Sequence, residues 1–120
     1  MEQLRVVLYQ KDPGTAQNLA ANLSKIFESV YMAASYEEIG HTLSQHRAEA
    51  VVIDLETFGP GEVQRLHHDF PDLCIVGTHR LADDKLWAEA MSLGASDICE
   101  PRHGDVVRSL LHRRSRHAAA

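Results

Sequence analysis

The sequence has few cysteines and no long apolar run, and these two absences exclude several classes of protein. Cys74 and Cys99 are the 2 cysteines among 120 residues. Both lie in apolar, strand-like stretches, which favours reduced core thiols over a disulfide framework or a metal site. No apolar stretch reaches the roughly 20 residues of a membrane-spanning helix. No signal peptide is visible before the first apolar run, so the sequence indicates a cytoplasmic protein without a membrane segment.

Positive charge is also scarce. The chain has 12 Lys and Arg residues against 17 Asp and Glu residues, with a net charge of −5. This balance argues against a general nucleic-acid-binding surface. Residues 112–117 are locally basic, a pattern that suits a helix C-terminus and also a linker. We therefore expect contact with nucleic acid only through an output domain that is absent from this chain.

Apolar strand-like runs alternate with amphipathic stretches along the whole sequence. Strands are predicted at residues 4–9, 30–34, 50–53, 73–77 and 96–99. Helices are predicted at residues 15–27, from about 36 to 46, around 63–67, at 82–93 and at 104–114. Five such repeats of about 20–25 residues predict a parallel sheet with helices on both faces. We expect one domain at residues 1–114, followed by a disordered basic and alanine-rich tail at 115–120.

Two helix starts carry clear capping signals. Asp12 precedes Pro13 and is placed to be an N-cap, because Pro is favoured in the first helical turn. Ser35 and Glu38 have the spacing of a capping box, in which each side chain satisfies a free backbone N–H group.

Asp54 is the most informative residue. It ends the apolar run Ala50-Val51-Val52-Ile53, whose continuous apolar character predicts a strand that is buried on both faces. Open parallel sheets place ligands and chemistry at the carboxyl ends of their strands, so the position of this carboxylate predicts a functional site. Thr78 closes the next predicted strand and would lie at the same edge.

With Gly94-Ala95-Ser96-Asp97 leading into Pro101, these motifs occur in the order found in one family. The chain resembles the receiver domains of bacterial two-component response regulators, the phosphorelay signal-transduction proteins. The resemblance covers essentially all residues and implies a flavodoxin-like fold: a doubly wound, five-stranded parallel sheet in three α/β/α layers. It also implies that Asp54 accepts phosphate from a histidine kinase and that Thr78 is the switch hydroxyl that binds the phosphoryl group.

Three positions depart from the family pattern. Glu100 stands where the family has a lysine before its proline, and Gln10 and Lys11 stand where it has two acids that bind Mg²⁺. Asp12 and Asp54 remain as candidate ligands for a weak Mg²⁺ site, because this ion requires several oxygen ligands in near-octahedral array. Glu100 would also repel a phosphoryl group. The departures indicate a degenerate receiver, or pseudo-receiver.

Lys11 offers a replacement for the missing metal charge. It is predicted to pair with Asp54, or with Glu100 across the mouth of the sheet. Either ion pair would hold the domain in one conformation.

The expected function is that of a signalling module, not an enzyme, which acts by protein–protein interaction with weak or no phosphorylation at Asp54. Its partners would be a histidine kinase or a downstream effector. Trp87 and Met91 are candidates for the interaction face, and a homodimer through the 82–93 helix, the fifth strand and the last helix is one form of it. Packing of a half-buried Trp87 against the fifth strand is the alternative reading.

Two other functions stay open. The first is a working phosphoacceptor that uses Asp12 and Asp54 with an unusual Mg²⁺ site. The second is a small-molecule or flavin binder at the same crevice, although residues 10–14 lack the Gly-, Ser- and Thr-rich loop that cradles a phosphate.

Overall fold

The computed structural model describes the backbone of residues 2–119 and the side chains of residues 3–112. Strands and helices alternate along the chain. The elements are β1 (Glu2–Leu8), α1 (Pro13–Leu23), β2 (Phe27–Met32), α2 (Tyr36–His46), β3 (Ala50–Asp54), α3 (Leu55–Phe58), α4 (Gly61–Asp69), β4 (Cys74–Thr78), α5 (Asp84–Ser92), β5 (Asp97–Cys99) and α6 (His103–Ala119).

The five strands form one parallel sheet in the order β2-β1-β3-β4-β5. This confirms the predicted doubly wound, flavodoxin-like architecture. β1 lies between β2 and β3, so the chain leaves β1 toward a helix on one face of the sheet and leaves β3 toward a helix on the other face. Sheets of this kind form a crevice between two such strands. All residues of β3 are buried, as the apolar run before Asp54 predicts for the central strand.

Two apolar clusters fill the spaces on either side of the sheet. One includes Leu19 and Leu23 of α1 and Leu110 of α6 packed against Val52. The other includes Ile39 of α2 and Val63 of α4, on the face that Val51 and Ile53 share. The alternation of side chains along β3 therefore directs even-numbered positions to one layer and odd-numbered positions to the other.

The two predicted helix caps are present. Asp12 accepts a hydrogen bond from the backbone N–H group of Thr15, with Pro13 in the first turn of α1. The Ser35 hydroxyl accepts from the N–H group of Glu38, whose carboxylate in turn accepts from the N–H group of Ala34 at 2.7 Å. Local sequence signals thus fixed where both helices begin.

The end of α1 differs from the prediction. Helical spacing of apolar residues predicts a helix to Phe27, but α1 ends at Leu23 and Phe27 is the first residue of β2. Phe27 pairs with Glu2 of β1 and is fully buried. Tertiary pairing overrides the local periodicity here, because the strand buries this aromatic side chain in the core.

Two other helices also differ from the prediction. α3 was not predicted; it begins after Asp54, whose side chain accepts from the Glu56 N–H group, and it ends at Gly59 with φ 75°. α6 was predicted to end at Arg114 but its backbone continues to Ala119, because no Gly or Pro after Gly104 interrupts it. The side chains of residues 113–120 lie outside the described part, so the predicted boundary between the 1–114 domain and a 115–120 tail stays a prediction.

Within residues 2–119, no helix is both long enough and apolar enough to cross a membrane.

Candidate functional site

The carboxyl ends of β1, β3 and β4 open into one cavity of about 770 Å³. Asp54 and Thr78 are direct neighbours in the β3–β4 register. The cavity is lined by Asp54 and by residues of the loops that follow the three strands, including Gln10, Lys11 and Arg80, with Pro101 on its far side. The sheet topology therefore places Asp54 and Thr78 side by side at the carboxyl edge of the sheet.

The Asp54 carboxylate is buried, with 7% of the residue exposed, and it accepts three hydrogen bonds. The Lys11 N–H group donates to Oδ2 at 3.2 Å and the Thr57 hydroxyl donates to the same oxygen at 3.0 Å. The Glu56 N–H group donates to Oδ1 at 3.0 Å. Both carboxylate oxygens thus have protein partners, which compensates for the removal of this charge from water.

Thr78 is almost completely buried, with 1% exposed. Its hydroxyl accepts a hydrogen bond of 2.7 Å from the Gln10 side-chain amide. The same hydroxyl donates to the Ile53 carbonyl oxygen at 3.3 Å. Thr78 therefore contacts the backbone of the neighbouring strand, and β1, β3 and β4 are joined at their carboxyl ends.

Comparisons with known proteins identify this architecture. No family model matches the sequence, and no curated protein matches it. Among solved structures, a response regulator from Thermotoga maritima shares 21% identity at a TM-score of 0.78, covering 98% of this chain and 99% of that one. The receiver domain of the putative response regulator NarL from Mycobacterium tuberculosis shares 15% at 0.79, over 93% and 96% of the two chains.

The chain has the fold of a response-regulator receiver domain. A CheY-like protein (TadZ) from Pseudomonas aeruginosa is also similar, with 27% identity, a TM-score of 0.71 and coverage of 95% of this chain and 93% of that one. The receiver fold explains why Asp54 and Thr78 meet at one edge of the sheet. The side chains around them decide what this particular receiver fold can do.

The Asp12 side chain caps the N-terminus of α1. Its Oδ2 atom accepts from both the N–H group and the hydroxyl of Thr15, at 2.9 and 2.8 Å. These two hydrogen bonds lower the pKa of the Asp12 carboxyl, with a smaller contribution from the charge of Arg80. Among the side chains described, no group of three His, Cys, Asp or Glu residues is arranged to hold a metal ion. The two candidate ligands, Asp12 and Asp54, both accept hydrogen bonds from the protein, so a Mg²⁺ ion would have to compete with these donors for their oxygens.

The predicted ion pairs of Lys11 are wrong. Lys11 contacts Asp54 through its backbone N–H group, and among the described residues its exposed side chain forms no salt bridge. Glu100 instead pairs with Arg102 at 2.8 Å, with 49% of its side chain exposed. Glu100 is not among the residues that line the Asp54 cavity; it lines a second cavity, beside α5.

Sequence reasoning missed Arg80 at this site, together with Glu56 and Thr57 of α3. The guanidinium of Arg80 donates to both carboxylate oxygens of Glu56 at 3.0 to 3.2 Å, and its backbone N–H group donates to the same carboxylate at 3.4 Å. Hydrogen bonding to Arg80 lowers the pKa of Glu56. The pKa of Arg80 is raised by Glu56 first and then by the charges of Asp54 and Asp12. The sequence did carry a signal for this ion pair: a basic residue lies two positions after Thr78, and an acid lies two positions after Asp54.

The predicted interaction face is only partly exposed. Trp87 on α5 has 48% of its surface exposed, and Leu81, in the loop before α5, has 86% exposed. Both line a second cavity of about 510 Å³ between the start of α5 and β5. Met91, in contrast, is partly buried and packs against the apolar core. On this face the exposed large apolar side chains are therefore Leu81 and Trp87, whereas Met91 contributes to the core.

Proposed function

We propose that the chain is a receiver-like signal-transduction domain that acts by protein–protein recognition, with weak or no phosphorylation at Asp54. The observation that carries the proposal is that both oxygens of the Asp54 carboxylate already accept hydrogen bonds from the protein. Three protein donors occupy it, so a reaction at Asp54 has to break contacts that stabilise the resting state. A phosphoryl group there would also lack charge compensation, on which phosphoryl transfer depends.

The charges that line the cavity support the same conclusion. Asp12, Asp54 and Glu56 contribute three carboxylates, against two cations from Lys11 and Arg80. Arg80 is already paired with Glu56. A phosphoryl dianion would therefore enter a cavity whose formal charge is negative, and the same repulsion disfavours a flavin phosphate at this crevice.

A partner protein would bind at the exposed apolar surface of Leu81 and Trp87. Aromatic side chains with a flat, half-exposed ring are typical anchors of protein interfaces. The cavity beside them is lined in part by Arg80. The affinity of a partner that binds there would therefore depend on the conformation of the β4–α5 loop. We propose a histidine kinase or a downstream effector as the partner class, and no catalytic activity of the domain itself.

The test is a titration of Mg²⁺ and beryllofluoride, a stable mimic of a phosphoryl group, followed by NMR of the amide groups. We expect no saturable shifts at Asp54, Thr78 and their neighbours at millimolar Mg²⁺. The Asp54→Asn variant is the control, since any shift that persists in it arises away from the acceptor carboxylate. Saturable shifts that disappear in Asp54→Asn would overturn the proposal.

The alternative is a functional phosphoacceptor. Its support is that Asp54 borders an open cavity beside Thr78, in register across two strands. Incubation with acetyl phosphate followed by intact-mass measurement distinguishes the two functions. The mass of one phosphoryl group, present in the wild type and lost in Asp54→Asn, would favour the alternative.

A further inference from the structure

The Thr78 hydroxyl uses both its hydrogen and an oxygen lone pair in the resting structure. It accepts from the Gln10 amide at 2.7 Å and donates to the Ile53 carbonyl at 3.3 Å. The residue is 1% exposed, so water is not available to replace either partner. A buried hydroxyl with two protein partners has a defined rotamer, because rotation would leave buried polar groups without hydrogen bonds.

We propose that Gln10 is a positioning residue that holds the Thr78 hydroxyl on the Ile53 carbonyl and so fixes the end of β4 in one conformation. The inference rests on the proposed function, since it identifies what keeps the site in its resting state. It differs from the lock predicted from the sequence, because the charged side chains of Lys11 and Glu100 take no part in it.

The chemistry of the carboxamide is what makes this arrangement possible. Gln10 donates an N–H group, which leaves the Thr78 hydrogen free to reach Ile53. A carboxylate at position 10 can only accept, so it would compete with the Ile53 carbonyl for the Thr78 hydrogen. A side chain without polar atoms would leave the hydroxyl oxygen without its buried donor. Gln10→Glu and Gln10→Met are therefore two variants of similar length that disrupt the lock in different ways.

The rotamer of Thr78 is the direct readout. Three-bond NMR couplings from its methyl carbon to the backbone nitrogen and carbonyl carbon report the χ1 angle. In the wild type we expect the couplings of a single rotamer, and in Gln10→Met and Gln10→Glu we expect averaged couplings or those of a different rotamer. Gln17→Met is the control, because Gln17 is exposed on α1 and its loss should leave the Thr78 couplings unchanged.

A reciprocal variant covers the case in which the Gln10 variants do not fold. Thr78→Val keeps the shape of the side chain and removes the hydroxyl. In that variant the Gln10 side-chain amide protons should exchange with solvent faster than in the wild type, while amide protons of exposed glutamines keep their rates. Unchanged exchange at Gln10 would contradict the proposal.

The outcome is separable from that of the proposed function. If Gln10→Met releases the Thr78 rotamer and beryllofluoride still does not bind, the lock is correct and the site is inert for electrostatic reasons. If Thr78 keeps the couplings of a single, unchanged rotamer in both Gln10 variants, the lock is wrong, whatever the beryllofluoride titration shows.

Discussion

At the scale of single residues, the site is governed by which hydrogen-bond partners are already taken. Asp54, Thr78 and Asp12 each have side-chain oxygen atoms that already form hydrogen bonds within the protein. The energetic consequence is clearest at Asp54, because its two oxygens accept from the loop after β1 and from α3.

Asp54→Asn should destabilise the fold by about 1–3 kcal/mol. Whichever way the new amide is oriented, its NH₂ group faces the N–H group of Lys11 or of Glu56, each of which now donates to a carboxylate oxygen. The free energy of unfolding from urea titrations measures the effect. Asp72→Asn, at an exposed position in the loop before β4, should change it little, and an Asp54→Asn variant as stable as the wild type would contradict the prediction.

Asp54 and Thr78 could be predicted from the sequence because each one ends an apolar run. Arg80 could not, because its role depends on Glu56, 24 residues away. The β3–β4 pairing brings α3 and the loop after β4 together. The contact of Lys11 with Asp54 through its backbone N–H group likewise depends on the conformation of its loop, for which the sequence carries no periodic signal.

At the scale of elements, the placement of α3 depends on a glycine in the neighbouring strand. A Cβ atom on Gly77 of β4 would lie 2.5 Å from Cδ1 of Leu55 and 3.0 Å from Cδ1 of Ile98. Leu55 is the first residue of α3 and is buried. Gly77 therefore lets the helix that Asp54 caps lie directly over β4.

Gly77→Ala should lower the free energy of unfolding by about 1–3 kcal/mol, because it forces Leu55 or Ile98 out of its packed position. Gly40→Ala is the matched control: it lies in α2 with no atom within 4 Å of the added Cβ, and it should stabilise the protein by about 1 kcal/mol. Thermal unfolding of the two variants shows whether each substitution lowers or raises the stability. Equal effects of the two substitutions would be inconsistent with this account.

The capping box of α2 gives a second prediction at this scale. Ser35→Ala removes the acceptor of the Glu38 N–H group and should cost about 1 kcal/mol of stability. Ser44→Ala, at an exposed position within the same helix, should be neutral or slightly stabilising. Chemical denaturation of both variants separates the loss of the cap from a general effect of alanine.

The caps were predictable because they depend on a few adjacent residues, whereas the end of α1 was not. Leu23, Ile26 and Phe27 continue a helical spacing, so local pattern alone extends the helix. The transition to β2 is decided by pairing with β1, which a sequence pattern does not contain.

At the scale of the whole molecule, the apolar clusters on the two sides of the sheet partly bury two titratable side chains, Cys99 and Tyr36. Burial favours the neutral form of each. Burial raises the pKa of Cys99 from an ordinary 9.0 to about 11. Burial, with a hydrogen bond to Glu62, raises the pKa of Tyr36 from 10.0 to about 12. Both groups stay protonated in the folded state at a pH where the unfolded chain loses its protons.

Stability should therefore be independent of these two groups below about pH 9 and fall as the pH rises from there toward 12. For Cys99 the loss should approach about 2 kcal/mol. Unfolding midpoints measured in urea between pH 8 and 11 test this. Cys99→Ala and Tyr36→Phe should each reduce the slope, and a wild-type profile that stays flat to pH 11 would contradict the assignment.

The hydrogen bonds from Gln10 to Thr78 and from Thr78 to the Ile53 carbonyl carry no formal charge on any partner. A lock made from Lys11 and Glu100 would weaken in concentrated salt and vary with acidity, as exposed ion pairs do. A carboxamide, a hydroxyl and a peptide carbonyl do not titrate near neutrality and are not screened by dissolved ions. The conformation of Thr78 at the end of β4 should therefore be the same in dilute and in concentrated salt.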